Sequence, residues 1–268
     1  MTRIDVYLTQ NGFSKSRESA HRSIEAGLVT VDGVVIKKAS FKVDETVEHD
    51  IVCTDALPYV GRGGLKLEAA LDAFDIDPNG KICADIGAST GGFTDCMLQN
   101  GADKVFAVDV GYNQLDWRLR NHPQVVCMER TNARYLTSEQ ITQPLDFFSV
   151  DVSFISLNLI LPALRPLMKE SGEGVCLVKP QFEAGKDKVG KKGVVRDPDV
   201  HLEVLKNFLV HAANAGFAVK DITFSPIKGP EGNIEYLGYL QAANGPEFEG
   251  DLAALVEQSH RVWKEENE

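Results

Sequence analysis

The hydrophobic pattern changes character near residue 60. Before it the apolar positions come in short amphipathic pieces. Ile4, Val6, Tyr7 and Leu8 predict a first helix, and a capping-box pattern from Ser14 or Ser16 opens a second that runs through Ala26 to the helix-ending Gly27. Two strand-like runs, 28 to 31 and 34 to 36, flank Asp32-Gly33, a strong hairpin signal. The expected unit is two helices and a hairpin, followed by a short linker at residues 54 to 58.

From Gly61 onward longer apolar strands alternate with helical stretches. A helix is predicted from 65 to 74, with Leu65, Ala69, Leu71 and Phe74 on its core face. Strands are predicted at 81 to 87, 104 to 110, 125 to 129, 145 to 151 and 174 to 179, with helices between them, which implies a parallel sheet covered on both faces. Two further strands, 217 to 227 and 236 to 242, are separated by a loop too short for a parallel crossover. The last strand should therefore run antiparallel. The expectation is an α/β chain: a small α+β domain over 1–58, then a mostly parallel Rossmann-like domain over 61–268.

The first strand of that sheet breaks into Asp85-Ile86-Gly87-Ala88-Ser89-Thr90-Gly91-Gly92-Phe93, a strand, a glycine-rich turn and the start of a helix. In a doubly wound sheet this turn lies where ligands bind. A dinucleotide fingerprint would need glycine in place of Ser89, whose side chain obstructs a pyrophosphate. A phosphate loop would end in Gly-Lys-Ser/Thr, and here Phe93 follows the glycines. S-adenosylmethionine carries no phosphate and fits better. Asp109, closing an apolar strand, stands where a ribose-binding acid is expected.

Composition narrows the partners. The 268 residues carry a formal net charge of −11, so a nucleic acid would have to be held by local patches. One such patch is the first 42 residues. There Arg3, Lys15, Arg17, Arg22, Lys37, Lys38 and Lys42 outnumber Asp5, Glu18, Glu25 and Asp32. A second is the glycine-containing loop from Lys186 to Arg196, where Lys188, Lys191 and Lys192 follow closely on Lys179. Each patch also admits the plain reading of a solvated charged face. The five cysteines form no C-x-x-C pair, the six histidines show no metal-ligand spacing, and no apolar stretch is long enough for a signal peptide or a membrane span. A cytoplasmic protein is expected.

The strand pattern also gathers polar residues at one edge. Asp151 and Lys179 each end an apolar strand, and an antiparallel last strand brings Glu235 to the same edge, with Lys66 on the helix before the first strand. Two lysines and two carboxylates beside a cofactor suit methyl transfer to a hydroxyl, a weak nucleophile that needs an acceptor for its proton. Whether Lys179 takes that proton or only orients the hydroxyl stays open from these residues alone.

Two stretches carry a resemblance. Residues 16 to 24 and 26 to 33 resemble the S4-like RNA-binding domain. Gly61-Arg62-Gly63-Gly64-Leu65-Lys66, the glycine turn, Val108-Asp109-Val110-Gly111, Asp151-Val152-Ser153-Phe154 and Val178-Lys179-Pro180-Gln181-Phe182-Glu183 look like the TlyA family, which joins that domain to an FtsJ-type methyltransferase. The resemblance implies S-adenosylmethionine-dependent 2′-O-methylation of cytidine in ribosomal RNA, with Lys66, Asp151, Lys179 and Glu235 as catalytic tetrad. It implies a cofactor site of Asp85, Gly87, Ser89, Thr90, Gly91, Gly92, Phe93, Asp109, Val110, Asn132 and Asp151. It implies RNA contacts at Lys15, Arg17, Arg22, Lys37 and Lys38, with ribosomal RNA or subunits as partner, and the candidate contacts Arg3, Arg62 and the loop lysines Lys188, Lys191 and Lys192 extend that set. Asn113 departs from the family, which commonly has glycine there. Three alternatives accompany this reading: a non-catalytic ribosome assembly factor, a methyltransferase for a small molecule or protein, and a membrane-active haemolysin, a name the family has carried and this acidic sequence disfavours.

Overall fold

The computed structural model describes residues 1–14, 16–25, 27–54, 58–243 and 248–265. The chain divides into two compact units, Met1–Tyr59 and Val60–Glu268.

In the first unit, β1 (Thr2–Arg3) leads into α1 (Ile4–Gln10) and α2 (Arg17–Glu25), followed by β2 (Val29–Val31), β3 (Val34–Val35), β4 (Lys42–Val43) and β5 (Ile51–Cys53). Ser16 Oγ accepts from the Ser19 amide at 3.1 Å and so caps α2, which resolves the choice between Ser14 and Ser16. Asp32 and Gly33 both take positive φ, 52° and 77°, the pair a two-residue hairpin turn requires. The hairpin pattern did not extend to β5, which pairs on the other edge of β2 (Val29 opposite Cys53), or to the short β1–β4 ladder. Those strands contribute only two or three residues each, too few for an alternating pattern to register. Ile4, Leu8, Ala20, Ile24, Val29, Val31, Ile36 and Val43 form the unit's own core. Most of the expected linker, residues 55 to 57, lies outside the described residues.

The second unit contains α3 (Gly63–Phe74), β6 (Ile82–Ile86), α4 (Gly92–Gln99), β7 (Lys104–Val108), α5 (Trp117–Arg120), β8 (Val125–Met128), β9 (Leu145–Val150), α6 (Leu161–Leu164), β10 (Met168–Val178), α7 (Pro180–Glu183), α8 (Pro198–Asn214), β11 (Ala218–Phe224), β12 (Tyr236–Gln241) and α9 (Leu252–Glu265). Among the described residues the strands build one seven-stranded sheet, ordered β11-β12-β10-β9-β6-β7-β8. β6 to β10 are parallel, and β12 is antiparallel to both β10 and β11. The last strand thus runs as its short connection requires.

Two details differ from expectation. β10 starts at Met168 rather than 174, with an irregular register between Met168 and Glu173, where the polar run Lys169-Glu170-Ser171 hides the strand pattern. The connections from β7 to β8 and from β8 to β9 carry only a helical turn each, Trp117–Arg120 and the 3-10 turn Ala133–Tyr135, instead of covering helices. The central strands are apolar on both faces, and Ile86, Phe148, Val150, Val178 and Tyr236 are fully buried, as a covered parallel sheet demands.

Candidate active site

The sheet's register delivers the polar residues to one edge. Ile86 lies opposite Val108 and Val150, Val150 opposite Cys176, and Val178 opposite Tyr236. Gly87, Asp109, Asp151, Lys179 and Glu235 consequently emerge side by side just beyond the strand ends. Lys179 Nζ forms an ion pair with Asp151 Oδ1 and donates to Ser153 Oγ at 3.4 Å. Lys66, on the first turn of α3, reaches Glu235 Oε2 at 2.6 Å, and Gln181 Nε2 donates to Glu235 Oε1 at 3.0 Å. Lys66, Lys179 and Glu235 are only 7%, 8% and 1% exposed. The expected tetrad is therefore two ion pairs, Lys66–Glu235 buried at both ends and Lys179–Asp151 with a part-exposed acid. Each cation is matched to one acid, which is the condition under which such charges leave water at tolerable cost.

The glycine turn is built for close approach. Gly87 has φ 87°, and a Cβ there would sit 2.3 Å from the Asp151 carbonyl oxygen. Gly91 has φ 98° and packs against Leu115 and Leu119, so its role is to let the turn close on those side chains. A cavity of about 370 Å³ opens beside the turn, lined by Gly87, Ser89, Asp109, Val110, Asn132 and Asp151 from the expected set. A smaller pocket of about 120 Å³ shares Gly87, Ser89 and Asp151 and adds Asp85, Thr90, Gly92 and Phe93. Gly91 lines neither.

The acids differ in what they do. Asp85 is fully buried. Its Oδ2 accepts from the Thr94 amide at 2.8 Å and the Thr94 hydroxyl at 2.7 Å, bracing the start of α4. Burial pushes its carboxyl up to about 7 against the opposing pull of those hydrogen bonds. Asp109 accepts from the Ser89 amide at 2.8 Å and the Gly111 amide at 2.6 Å, which fixes its carboxylate at the cavity's rim. Asn113, the departure from the family pattern, has φ 58°, a conformation asparagine tolerates nearly as glycine does.

The sequence reading missed the far wall of the cavity: Gln114 and the run Val152-Ser153-Phe154-Ile155 with Ile160. Glu129 holds part of that wall by accepting from the Gln114 amide at 3.0 Å and from Arg120 at 2.6 Å. These residues come from loops, where neither period-2 nor helical spacing applies. The cavity suits S-adenosylmethionine on its own evidence. Its walls are largely apolar, no lysine or arginine lines it to hold phosphate, and the acids present, Asp109 and Asp151, complement a cation.

A second cavity of about 840 Å³ adjoins the first and shares Phe154 with it. Gln181, Phe182, Lys186, Lys192 and Glu231 contribute to its lining. Phe154 is 91% exposed, holds φ 64°, and sets its ring 4.9 Å from that of Phe182. The basic loop above is stitched down by the buried Asn233, whose Oδ1 accepts from the Val195 amide at 3.0 Å and whose Nδ2 donates to the Gly193 carbonyl at 2.9 Å.

The expected RNA contacts are not equivalent. Lys191 and Lys192 are exposed, while Lys188 is engaged by Glu203 at 2.5 Å. Arg62 is exposed and donates to the Lys228 carbonyl at 3.0 Å. In the first unit Lys37 and Lys38 are exposed, Arg22 is half-buried, and Arg3 and Arg17 both bind Asp5. Lys15 lies outside the described residues.

The profile of the FtsJ-like methyltransferase family matches residues 59–242, and that of the S4 domain matches residues 2–49. YqxC of Bacillus subtilis is 48% identical over 98% of this chain and 95% of its own. The protein named 16S/23S rRNA (cytidine-2′-O)-methyltransferase TlyA in Mycobacterium tuberculosis is 44% identical over 89% of each chain. A solved structure from Streptococcus thermophilus, described as a haemolysin, superposes with a TM-score of 0.80 at 45% identity, covering 99% of this chain and 98% of that one. Among the described residues no helix is long and apolar enough to cross a membrane.

Proposed function

Because the chain belongs to the TlyA family, FtsJ-like methyltransferases that carry an S4 domain, we propose that it methylates the ribose 2′-hydroxyl of cytidine in ribosomal RNA. The observation that carries this reading is the pair of ion pairs, Lys179–Asp151 and Lys66–Glu235, set at one sheet edge, with Asp151 lining the first cavity and Gln181, the partner of Glu235, lining the second. The cofactor is S-adenosylmethionine, which when bound supplies an electrophilic methyl on a sulfonium.

This chain's residues do the rest. Gly87, Ser89 and Asp109 shape one cavity, and Val110, Val152, Ile155 and Ile160 give it apolar walls for an adenine ring. The second cavity offers an aromatic pair, Phe154 and Phe182, for a base, with Lys186 and Lys192 near its phosphates. Lys179 then stands where a 2′-oxygen would enter, held by Asp151. A fixed amine there orients the hydroxyl and receives or relays its proton as the oxygen attacks. Glu235 is itself held at that edge by Lys66 and Gln181. We assign RNA docking to the first unit, the ribosome as the setting, and the cytoplasm as the compartment.

The test is a map of ribose methylation in ribosomal RNA from cells with and without this protein, paired with methyl transfer by the purified chain. Loss of a cytidine 2′-O-methyl that the purified chain restores is expected. Identical maps and no transfer would leave a non-catalytic assembly role.

A further inference from the structure

The sequence counts Asp5 as an acid that weakens the basic face of the first unit, yet its surroundings give it the opposite part. Asp5 lies on α1 with its carboxylate fully buried, and three basic side chains converge on it. Its Oδ1 accepts from Arg3 Nε at 2.9 Å and its Oδ2 from Arg3 Nη2 at 3.2 Å. The same Oδ2 accepts from Arg17 Nη2 at 2.7 Å and Nε at 3.3 Å, and His21 Nε2 lies 3.3 Å away. Burial alone would favour the neutral acid, but the hydrogen bonds from Arg3 and Arg17 outweigh it and hold the carboxyl well below the usual range.

Both guanidiniums spend the same edge, Nε and Nη2, on this one carboxylate. A guanidinium has five N–H donors in one plane, so each arginine keeps the Nη1 end free of Asp5, on side chains 47% and 58% exposed. One bidentate arginine would satisfy a buried carboxylate. A second leaves surplus positive charge at the surface, with both forks locked in plane. That is an arrangement for an anion, and two planar forks match the oxygens of a phosphate better than flexible lysines do.

We propose that Asp5 is a positioning residue that fastens Arg3 and Arg17 into a fixed two-guanidinium site for a backbone phosphate of structured RNA. The site deepens the RNA reading above and rests on it. Fastening the two long side chains before RNA arrives removes the ordering cost that each would otherwise meet on binding.

Elementary electrostatics makes the test sharp, because removing a negative charge from a basic face should tighten RNA binding, whereas losing the fastener should weaken it. The full chain is titrated against a fluorescein-labelled RNA stem-loop over a KCl series, as wild type, Asp5→Asn, Arg3→Ala, Arg17→Ala and Asp5→Asn/Arg17→Ala. Each arginine variant should weaken binding about tenfold and flatten the salt slope by about 1. Asp5→Asn should weaken binding about threefold to tenfold with the slope unchanged, and Arg17→Ala should cost less in its presence. Equal or tighter binding by Asp5→Asn overturns the proposal. Thermal melting of each variant accompanies the titration. Should Asp5→Asn fail to fold, Arg17→Lys keeps the charge and loses the fork. The proposal then requires severalfold weaker binding with an unchanged melt, and wild-type affinity overturns it. Wild-type protein that binds no RNA overturns the RNA reading itself.

Discussion

Lys179 and Asp151 meet as an ion pair across the ends of two neighbouring parallel strands, where Asp151 lines the first cavity. Asp151 lines the cofactor cavity whereas Lys179 does not, so removing the amine should separate chemistry from cofactor binding. Lys179→Ala is expected to lower methyl transfer by about 10² to 10⁴-fold while S-adenosylmethionine affinity by calorimetry stays within about threefold. Normal turnover in this variant would remove Lys179 from the mechanism.

Lys66 and Glu235 carry a different consequence, because both are buried and each neutralises the other. Cutting the pair at one end strands a charge in the interior. Glu235→Ala should therefore cost about 3–5 kcal/mol of unfolding free energy, more than an exposed pair would. Lys66→Met/Glu235→Leu should recover most of that loss, since no charge remains to be desolvated, and should stay inactive. Denaturant unfolding of the single and double variants measures both values. A double variant as unstable as the single one would mean that the pair contributes through packing or hydrogen bonds other than its charge.

The edge residues were legible because Asp151 and Lys179 each follow an uninterrupted apolar run, so the strand pattern itself tells where they emerge. The direction of β12 followed from loop length, and with it the place of Glu235. What stayed hidden lies off the periodic elements. Phe154 and Gln114 line the cavity from loops, and the path of the Gln114 loop depends on Glu129, which accepts from its amide. Asp85 reads as a cofactor residue from its position before the glycines, and that position gives no sign of the hydrogen bonds by which it also braces Thr94. Asp5 reads as a competing charge because ion pairing across a helix junction leaves no spacing signature.

Two buried groups make opposite claims on pH. His201 is fully buried between Tyr236, 2.9 Å from Nδ1, and the Val195 carbonyl, 3.1 Å from Nε2. Burial lowers its pKa to about 4, so its stabilising contribution is complete above the unfolded value near 6.5 and is lost as pH falls toward 4. Asp85 is raised to about 7, so its contribution is complete below about 3.8 and is lost as pH rises through 7. Between pH 7 and 5 the two trends offset. Asp85→Asn, which keeps an acceptor for Thr94, should expose the histidine term as a fall of about 2 kcal/mol over that interval. Urea midpoints at each pH decide the matter, and a profile as flat as wild type would sink the assignment to His201.

Phe154 sets stability against use. A bulky side chain at φ 64° costs roughly 1–2 kcal/mol relative to a residue that tolerates the left-handed region. Its 91% exposure gives back little hydrophobic burial in return. The ring instead stands between the two cavities against Phe182, presenting a free face where a base would stack. Phe154→Gly should accordingly raise unfolding free energy by about 1 kcal/mol while lowering methyl transfer about 10-fold to 100-fold, the scale on which one base–aromatic stack is worth about 1–3 kcal/mol. The loss should fall on RNA-dependent turnover and spare cofactor affinity, which calorimetry with S-adenosylmethionine checks directly. Phe154→Trp keeps a stacking face and should retain most activity at the same backbone cost. A glycine variant that gains stability and keeps full turnover would show that the strained backbone at this position serves something other than the base.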